Sequence, residues 1–399
     1  MKRSEEALID ELYDGLEDRT KARVERAIEL FCRIKREQGR ICVLTGSGPN
    51  IHEGVTTLIA ELIKKGLVDG VLTSSAVVAH EMAGSLEEVY RVDGATLGVD
   101  SSILPADGKF EISLCDPAIL DDIEREIPVD RDLIERAMKL PGDRIIKAAG
   151  NMAYPLGLRT EVISHEVRLL AMSRGLSFEE VAGMGSDPMT MIGAGARKEV
   201  PVLVTVPQLV GGGYVGIEVS QSITMEQRSR RIADLLASAD MIIESALALA
   251  QEVHDGPFET YSGHGIWSAW LGRRTFRMDQ KEIVRIDLDP NLEAAWRKEK
   301  ESALVAQAIA KGMPKTKLTG IPFRMEMSGF CRLPKSLPIV SDIGKIWPII
   351  ALNVSRELGT KLDFISFPQE TEEGREMRRW IVRSVRPLDR KRMLAEAVP

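Results

Sequence analysis

The feature that most constrains the fold is a strand–glycine loop–helix–strand unit near the N-terminus. Residues 40–45 form a short apolar run bounded by polar residues, which is typical of a strand buried on both faces. The run leads into Gly46-Ser47-Gly48-Pro49-Asn50, and residues 51–63 then carry one apolar stripe at helical spacing. A second apolar run follows at 70–73. A unit of about 35 residues is the size of a βαβ crossover, so it predicts two parallel strands of an α/β fold.

The ends of the helix in this unit carry their own signals. Asn50 with Glu53 three residues later predicts a capping box at the helix start. Gly66 predicts the helix end, because glycine adopts the left-handed conformation that terminates helices at little cost.

Further along the chain, apolar runs alternate with helical patterns. Such alternation predicts a doubly wound, mostly parallel, Rossmann-like sheet with helices on both faces. The predicted strands are 200–206, 240–244, 282–288, 337–341 and 362–367. The predicted helices include 188–198 and 225–238, and residues 4–39 are expected to form two helices or one bent helix.

The middle of the chain is less regular and predicts an inserted cap region. Short strands are expected at 97–100 and 109–114, and helices at 117–138 and 161–173. The predicted organisation is an N-terminal helical segment, a sheet domain in two parts around a substrate or cap region, and a basic C-terminal tail. The boundaries are 1–39, 40–100, 101–180, 181–370 and 371–399.

Composition excludes several classes of protein. The net charge of −7, with acidic and basic residues interspersed, argues against a nucleic-acid partner or a polybasic membrane anchor. No apolar run approaches the roughly 18 residues that a membrane-spanning helix needs, and the charged start lacks a signal-peptide core. The four cysteines form no metal-binding or redox spacing, so we expect reduced thiols in a cytoplasmic protein without a bound metal.

Glycines, hydroxyls and carboxylates follow the predicted strands at their carboxyl ends, where open α/β sheets bind ligands. Glycine lets a phosphate approach the backbone, and a late aspartate commonly holds the ribose hydroxyls of NAD while disfavouring the 2′-phosphate of NADP. The alternatives are a tight turn or hinge for the glycines and helix capping for the aspartates. The expected cofactor-binding residues are Gly46, Ser47, Gly48, Asn50, Ser74, Ser75, Gly211, Gly212, Gly213, Asp287 and Asp289.

Two histidines follow predicted strands and are candidate general acids or bases, because imidazole titrates near neutrality. His80 comes after the second strand, and His264 lies in a glycine-flanked loop. Lys147 is a candidate catalytic residue in a small polar cluster, although surface ion pairs would explain such residues nearly as well. The expected substrate-binding residues are Asn151, Tyr154, Glu218 and Tyr261.

The ordered series of motifs resembles a known family. It is VLTGSGP at 43–49, GLVDGVL at 66–72, SAVVAHE at 75–81, EVPVL at 199–203, SADMII at 238–243, VRIDLDP at 284–290 and SDIG at 341–344. The series resembles the C-terminal domain of the archaeal and cyanobacterial ornithine cyclodeaminase group, labelled lysine-oxoglutarate reductase/saccharopine dehydrogenase-like. It more distantly resembles deoxyhypusine synthase. Residues 101–160 differ from the family entirely.

The resemblance implies a Rossmann-like, NAD-binding sheet of the deoxyhypusine-synthase type and a homo-oligomer, either dimer or tetramer. It implies hydride transfer at the amine-bearing carbon of a small amine or amino acid. It places Glu81 beside His80 in the catalytic set and adds Asp342 to the cofactor-binding residues.

Several hypotheses remain open from the sequence. The first is an NAD-dependent lyase or oxidoreductase of the ornithine-cyclodeaminase type. The alternatives are aminoalkyl transfer of the deoxyhypusine- or homospermidine-synthase type, and a catalytically inactive nucleotide-binding regulator. A further alternative keeps the sheet but exchanges NAD for a flavin or thiamine-type cofactor.

Overall fold

Two β-sheets with helices packed around them make up the described part of the chain. The structure is a computed structural model. It describes residues 3–46, 48–150, 152–205, 212–245, 266–273, 275, 277, 278, 280–301, 307, 311–313 and 335–397. Five predicted site residues lie outside the described residues, namely Ser47, Asn151, Gly211, Tyr261 and His264.

The strands divide between a parallel and an antiparallel sheet. In chain order they are β1 (Ile41–Thr45), β2 (Gly70–Thr73), β3 (Leu86–Asp93), β4 (Lys109–Ser113), β5 (Gly142–Ala148), β6 (Val202–Val204), β7 (Met241–Ser245), β8 (Glu282–Asp287) and β9 (Ser336–Val340).

The helices of the first half surround the two sheets. They are α1 (Arg3–Asp14), α2 (Asp18–Arg36), α3 (Pro49–His52), α4 (Val55–Lys64), α5 (Ser75–Met82), α6 (Gly94–Leu97), α7 (Pro117–Glu126), α8 (Arg131–Lys139) and α9 (Leu156–Arg174), with a 3₁₀ turn at Ser101–Ile103. The later helices are α10 (Phe178–Gly185), α11 (Met191–Lys198), α12 (Gly213–Ser222), α13 (Met225–Ser238), α14 (Ile266–Trp270), α15 (Asn291–Glu301), α16 (Ile343–Leu358), α17 (Glu372–Ser384) and α18 (Arg390–Ala397).

The large sheet has the strand order β6-β2-β1-β7-β8-β9, and each neighbouring pair is parallel. Counted along the chain, its parallel strands lie in the order third, second, first, fourth, fifth and sixth. That is the strand order of the Rossmann fold, in which the direction of winding reverses between the first and fourth strands. The predicted doubly wound, mostly parallel α/β fold is therefore confirmed.

Each face of the large sheet packs into its own apolar core. Along β1 and β7, Val43 and Ile243 enter one cluster, whereas Leu44 and Ile242 enter the other. Both strands are buried over their full length, as the apolar runs predicted. Burying each such side chain stabilises the fold by about 1.5–3 kcal/mol.

The small sheet has the order β4-β3-β5, and β3 pairs antiparallel with both neighbours. It is inserted in the chain between β2 and β6, so it starts from the carboxyl edge of the large sheet. One of its faces is apolar, where Val92 and Ile112 pack with Ala137 of α8. The sheet takes its first strand from Leu86–Asp93, ahead of residue 101, where we expected the insertion to begin. The division of the chain into domains stays a prediction.

Three predicted local features are wrong. Residues 97–100 are not a strand, because Asp93 caps the short helix α6 and Gly98 then turns the chain at φ +81°. Residues 362–367 form no strand, since their backbone donates to side chains: Asp363 N–H to Glu61 at 2.7 Å and Phe367 N–H to the sulfur of Met377 at 3.3 Å.

The third wrong feature is the capping box at Asn50. Gly48 precedes the helix instead, and the side chain of Asn50 bonds elsewhere. The helix also breaks at Gly54, which adopts φ +68°. A Cβ on Gly54 would lie 2.7 Å from the sulfur of Met377, so close packing against α17 favours glycine at the break. The predicted end at Gly66 is confirmed, with φ +70°.

Candidate functional site

The carboxyl ends of β1 and β7 meet where the winding of the large sheet reverses. Asn50 donates from Nδ2 to the Ser245 carbonyl at 3.0 Å, and the Ser245 hydroxyl donates back to Asn50 Oδ1 at 3.0 Å. Both residues are buried. The reciprocal pair ties the loop after β1 to the end of β7, at the position where sheets of this strand order bind dinucleotides.

The glycine loop after β1 leaves open space at its turn. Gly48 has φ +64°, and a Cβ built there would meet nothing within 4 Å. Pro49 then starts α3, which has only four residues. The long helix that we expected directly after the loop is therefore absent. It is the backbone of the loop that a ligand can approach closely.

The end of β2 meets the start of α12. Ser74 caps α5 by accepting from Val77 N–H at 3.4 Å, and Ser75 is fully buried. A Cβ on Gly212 would lie 2.6 Å from the hydroxyl oxygen of Ser75, so the two predicted cofactor-binding residues are in contact. Gly213 follows with φ +54° and begins α12. The start of α12 therefore lies against the residues that follow β2.

Hydroxyl groups and glycines dominate this side of the rim. Thr45 and Thr205, at the ends of β1 and β6, have buried hydroxyls without a hydrogen-bond partner within the described part of the chain. After β1 the first acidic residue along the chain is Glu53, and after β2 it is Glu81. The residues that directly follow these two strands therefore bring no carboxylate to the rim. Neutral donors and open backbone suit the anionic pyrophosphate of a dinucleotide, so the rim fits such a ligand.

The predicted aspartates lie on the other side of the reversal. Asp287 ends β8 and accepts from Asp289 N–H at 2.9 Å, while Asp289 accepts from Asn291 N–H at 3.0 Å at the start of α15. Asp342 caps α16 by accepting from Gly344 N–H at 2.8 Å. All three therefore have local backbone partners, in keeping with the helix-capping alternative for Asp289.

His80 and Glu81 are adjacent on α5 but have different environments. His80 is 6% exposed, and its Nδ1 lies 2.6 Å from the Ala149 carbonyl oxygen. A carbonyl only accepts, so we assign the proton to Nδ1, which leaves Nε2 as the basic nitrogen. Burial lowers the pKa of His80, so the ring is neutral at pH 7.

Glu81 is fully buried and connects two helices. Its two carboxylate oxygens accept from the N–H groups of Met191 and Ile192 at 2.8 and 3.0 Å, at the start of α11. Burial raises the pKa of Glu81 to about 7 despite these bonds. A carboxylate used in this way joins α5 to α11, and Glu81 is not in the catalytic set proposed below.

Lys147 and Tyr154 belong to the small sheet and its surroundings. Lys147 pairs with the buried Glu111. The hydroxyl of Tyr154 accepts from Asp130 N–H at 2.5 Å, and its backbone pairs with Glu111 and Ser113. Tyr154 therefore connects β4 and the chain just ahead of α9 to the start of α8, on the apolar side of the sheet.

Glu218 is buried at the interface of α12 and α9. It pairs with Arg168, and His165 Nδ1 lies 3.3 Å from its Oε1. Its hydrogen bond with Tyr214 raises the pKa of that phenol. The buried carboxylate of Glu218 is thus engaged in an ion-pair network with α9.

Comparisons with known proteins find a likeness of fold only. No family model and no curated protein sequence matches the chain. Among solved structures, it is similar to AgrE in its ternary complex with ornithine and NAD⁺ (14% identity, TM-score 0.42, 87% of this chain and 34% of AgrE). It is also similar to a putative LOR/SDH protein of Methanococcus maripaludis (11%, TM-score 0.38, 84% and 69%). A third is a putative deoxyhypusine synthase of Entamoeba histolytica (11%, TM-score 0.38, 89% and 93%). The chain spans about a third of the length of AgrE.

Two buried carboxylates near the rim were missed from the sequence. Burial raises the pKa of Glu53, between α3 and α4, to about 7, and that of Glu87, on β3, to about 7. Glu53 accepts from Gln369 N–H at 2.7 Å. Neither has a local signal, because a glutamate in a polar stretch is normally exposed. The alternation of residues along β3 was the only available pointer to Glu87.

A cavity of about 560 Å³ is lined by Pro290, Val340 and Ser341, past the carboxyl ends of β8 and β9, and two other cavities in the described part of the chain lie away from the rim. One of about 800 Å³ is lined by Glu199, Pro201 and other residues near the amino end of β6, and one of about 630 Å³ by Gly39, Asp240 and Lys281 near the amino ends of β1, β7 and β8. Among the described residues, no cluster of three or more His, Cys, Asp or Glu side chains suits a metal ion. Their helices are also too short or too polar to cross a membrane.

Proposed function

We propose that this chain is an NAD-dependent enzyme that oxidises a small amine or amino acid at the carbon bearing the nitrogen. The observation that carries the proposal is the Rossmann strand order, with a glycine loop at the reversal point and the Asn50–Ser245 pair holding it. In solved structures with this strand order, that crevice is where dinucleotides bind.

The proposed cofactor contacts come from the loops along the rim. Gly46, Ser47, Gly48 and Asn50 would hold the pyrophosphate with loop amides, and Ser74, Ser75 and Gly211–Gly213 would continue the same surface. Asp287, Asp289 and Asp342 would face the ribose hydroxyls. When bound, NAD supplies a hydride acceptor.

The chain's own contribution to the reaction is proton transfer and orientation. Oxidation of an ammonium substrate to an iminium releases one proton from nitrogen, and a neutral imidazole is a suitable acceptor. His80 is neutral because of burial, and its Nδ1–H bond to Ala149 orients Nε2. Lys147 would attract a substrate carboxylate, and His264, Tyr261 and Asn151 stay in the proposal as the sequence predicted them. Tyr154 and Glu218 do not, because both are engaged in structural contacts.

Titration with NADH tests cofactor binding. Energy transfer from tryptophan to the bound NADH reports the binding. We expect micromolar binding, and weaker binding of NADPH because Asp287 repels a 2′-phosphate. Gly212→Ala should weaken NADH binding about tenfold, because the new Cβ displaces Ser75. Gly15→Ala is the matched control, since a Cβ there meets only ordinary contacts at 3.5 Å or more. Absence of NADH binding to the unaltered chain would refute the proposal.

NADH production from a panel of amines and amino acids tests the chemical step. His80→Gln should lower kcat about a hundredfold or more with NADH affinity unchanged. His165→Gln, which alters a half-exposed histidine on α9, should leave kcat within about twofold.

A nucleotide-binding regulator without activity is the second candidate. Three residues expected at the active site, Glu81, Tyr154 and Glu218, are engaged in structural contacts, and that observation favours it. Tight NADH binding without turnover on any member of the panel would favour the regulator over the enzyme.

A further inference from the structure

One face of the small sheet is both buried and charged. The strand pairings place Arg91 of β3 opposite Glu111 of β4, and Glu87 of β3 opposite Lys147 of β5. Ser113, two residues after Glu111, lies on the same face, because side chains alternate along a strand. Glu87, Glu111 and Ser113 are 5%, 7% and 6% exposed. A buried face of this kind must satisfy its charges internally or with a bound partner.

Glu111 has its partners within the face. Lys147 pairs with Oε2, and Arg91 Nε lies 3.1 Å from Oε1. One carboxylate between two cations is electrostatically complete. Neither cation forms a salt bridge with Glu87 within the described part of the chain.

Glu87 is satisfied on one side only. Its Oε1 accepts from Gly150 N–H at 3.0 Å, while its Oε2 has no hydrogen-bond partner among the described residues. The hydroxyl of Ser113 is buried beside Glu87 and, as a donor toward its carboxylate, lowers the pKa of Glu87, but the hydroxyl oxygen accepts no hydrogen bond from the described residues. The buried carboxylate thus lacks a cation, and the hydroxyl oxygen beside it still has acceptor capacity.

The open carboxylate is linked to His80 through a single peptide unit. Gly150 N–H donates to Glu87, and the carbonyl of the same peptide, on Ala149, accepts from His80. His80 lies on the helix that follows β2, and α3, which follows β1, packs against β5. The charged face of the small sheet thus adjoins the loops of the proposed cofactor rim.

We propose that Glu87 Oε2 and the Ser113 hydroxyl form the binding site for the ammonium group of the substrate. The substrate class is a primary amine or amino acid, with Lys147 at hand for a carboxylate when one is present. This inference rests on the proposed function for its role in oxidation, and it assigns the amine-binding residues that the function left open.

An ammonium group fits this site better than the other small ligands. It has three donors and no acceptor, so it matches a carboxylate oxygen and a hydroxyl. Its charge also supplies the cation that Glu87 lacks, because charge-assisted hydrogen bonds are roughly twice as strong as neutral ones. An anion would meet the Glu87 charge directly. A trapped water would satisfy the same oxygens, and the experiment separates it from an ammonium group.

The test is calorimetric titration with L-ornithine, putrescine and glutarate at equal ionic strength and pH 8. The two ammonium-bearing probes should bind the unaltered chain, and glutarate should not. Glu87→Gln keeps the size of the side chain but removes its charge, so both amines should bind about tenfold or more weakly. Glu88→Gln, on the opposite face of the same strand, is the matched control and should bind like the unaltered chain. Ser113→Ala should weaken binding about threefold and serves if Glu87→Gln fails to fold.

NADH titration of the same variants separates this inference from the proposed function. NADH should bind all of them equally, since none of the substitutions touches the rim. Loss of NADH binding together with Glu87-dependent amine binding would refute the function and leave the ammonium site standing. NADH binding combined with no affinity for either amine, or with equal affinity in Glu87→Gln, would overturn the inference and indicate a trapped water.

Discussion

The two sheets of this protein bury carboxylates in different ways. Beside β6 of the large sheet, Glu179 and Arg228 are both fully buried and paired. Glu179 also accepts from Val204 N–H at 2.7 Å, so both its oxygens are used. In the small sheet, Glu87 is buried with one oxygen open. A completed buried pair stabilises the packing of the elements that carry it, whereas the incomplete one at Glu87 is the place where we propose that a partner binds.

Glu179→Ala tests the completed pair and should have the largest effect. Removing the carboxylate leaves Arg228 charged and unpaired in the interior, so the free energy of unfolding should fall by about 3–5 kcal/mol. Urea denaturation measures it. Glu180→Ala is the control, because it breaks a half-exposed pair with Arg231 and one capping bond from Ser177 N–H, and it should cost about 1 kcal/mol. Equal losses in the two variants would show that burial of the pair does not matter.

Glu87→Gln tests the incomplete site through the pH dependence of the free energy of unfolding. Burial raises the folded pKa of Glu87 to about 7 from an ordinary value of 4.5, so the folded chain holds a proton that the unfolded chain releases. The resulting stability is present below the unfolded pKa and is lost as pH rises through 7. Relative to Glu87→Gln, the unaltered chain should therefore lose up to about 3 kcal/mol between pH 5 and pH 8.

Lys147 and Glu111 face residue 87 in the unaltered chain and in the Glu87→Gln variant, and Glu53 and Glu81 titrate in both. The difference in stability between the two proteins therefore isolates the titration of Glu87. Denaturation at several pH values, with Glu88→Gln alongside, gives the measurement. A difference that stays constant with pH would mean that Glu87 is ionised and paired after all.

Asn50→Ala tests the connection across the reversal of the large sheet. The substitution leaves the Ser245 carbonyl and hydroxyl without their Asn50 bonds and should cost about 1–3 kcal/mol. It should also weaken NADH binding, because the loop after β1 is released. Asn353→Ala, on α16, removes one bond to the Ile349 carbonyl of the same helix and should cost under about 1 kcal/mol. A smaller loss at Asn50 than at Asn353 would contradict the role given to the pair.

Asp116→Ala concerns the periphery of the small sheet and should have the smallest effect. Asp116 caps α7 through Ala118 N–H at 2.9 Å, so its loss should cost about 1 kcal/mol. Thermal unfolding is sufficient to detect it. Asp122→Ala on the same helix breaks only an exposed pair with Arg125 and should stay within about 0.5 kcal/mol.

Prediction from sequence succeeded where the signal is local. The apolar runs of β1 and β2 lie next to the glycine loop and helix that identify a βαβ unit, and the structure has them as predicted. It failed at Asn50, where a capping pattern was present but the side chain found a partner on β7. It also failed at 362–367, where backbone donors bond to side chains of other elements. A local pattern predicts the wrong structure when a partner distant in sequence forms the hydrogen bond instead.

The sequence by itself determined the α/β class and the chain segments that reach the rim, because strands buried on both faces must be apolar throughout. Only the tertiary structure decided which polar groups meet. Asn50 and Ser245 are 195 residues apart, and Glu87 and Gly150 are 63 apart. The partner and the burial of a side chain depend on elements that come together only when the chain folds. Neither can therefore be predicted from the neighbouring residues in the sequence.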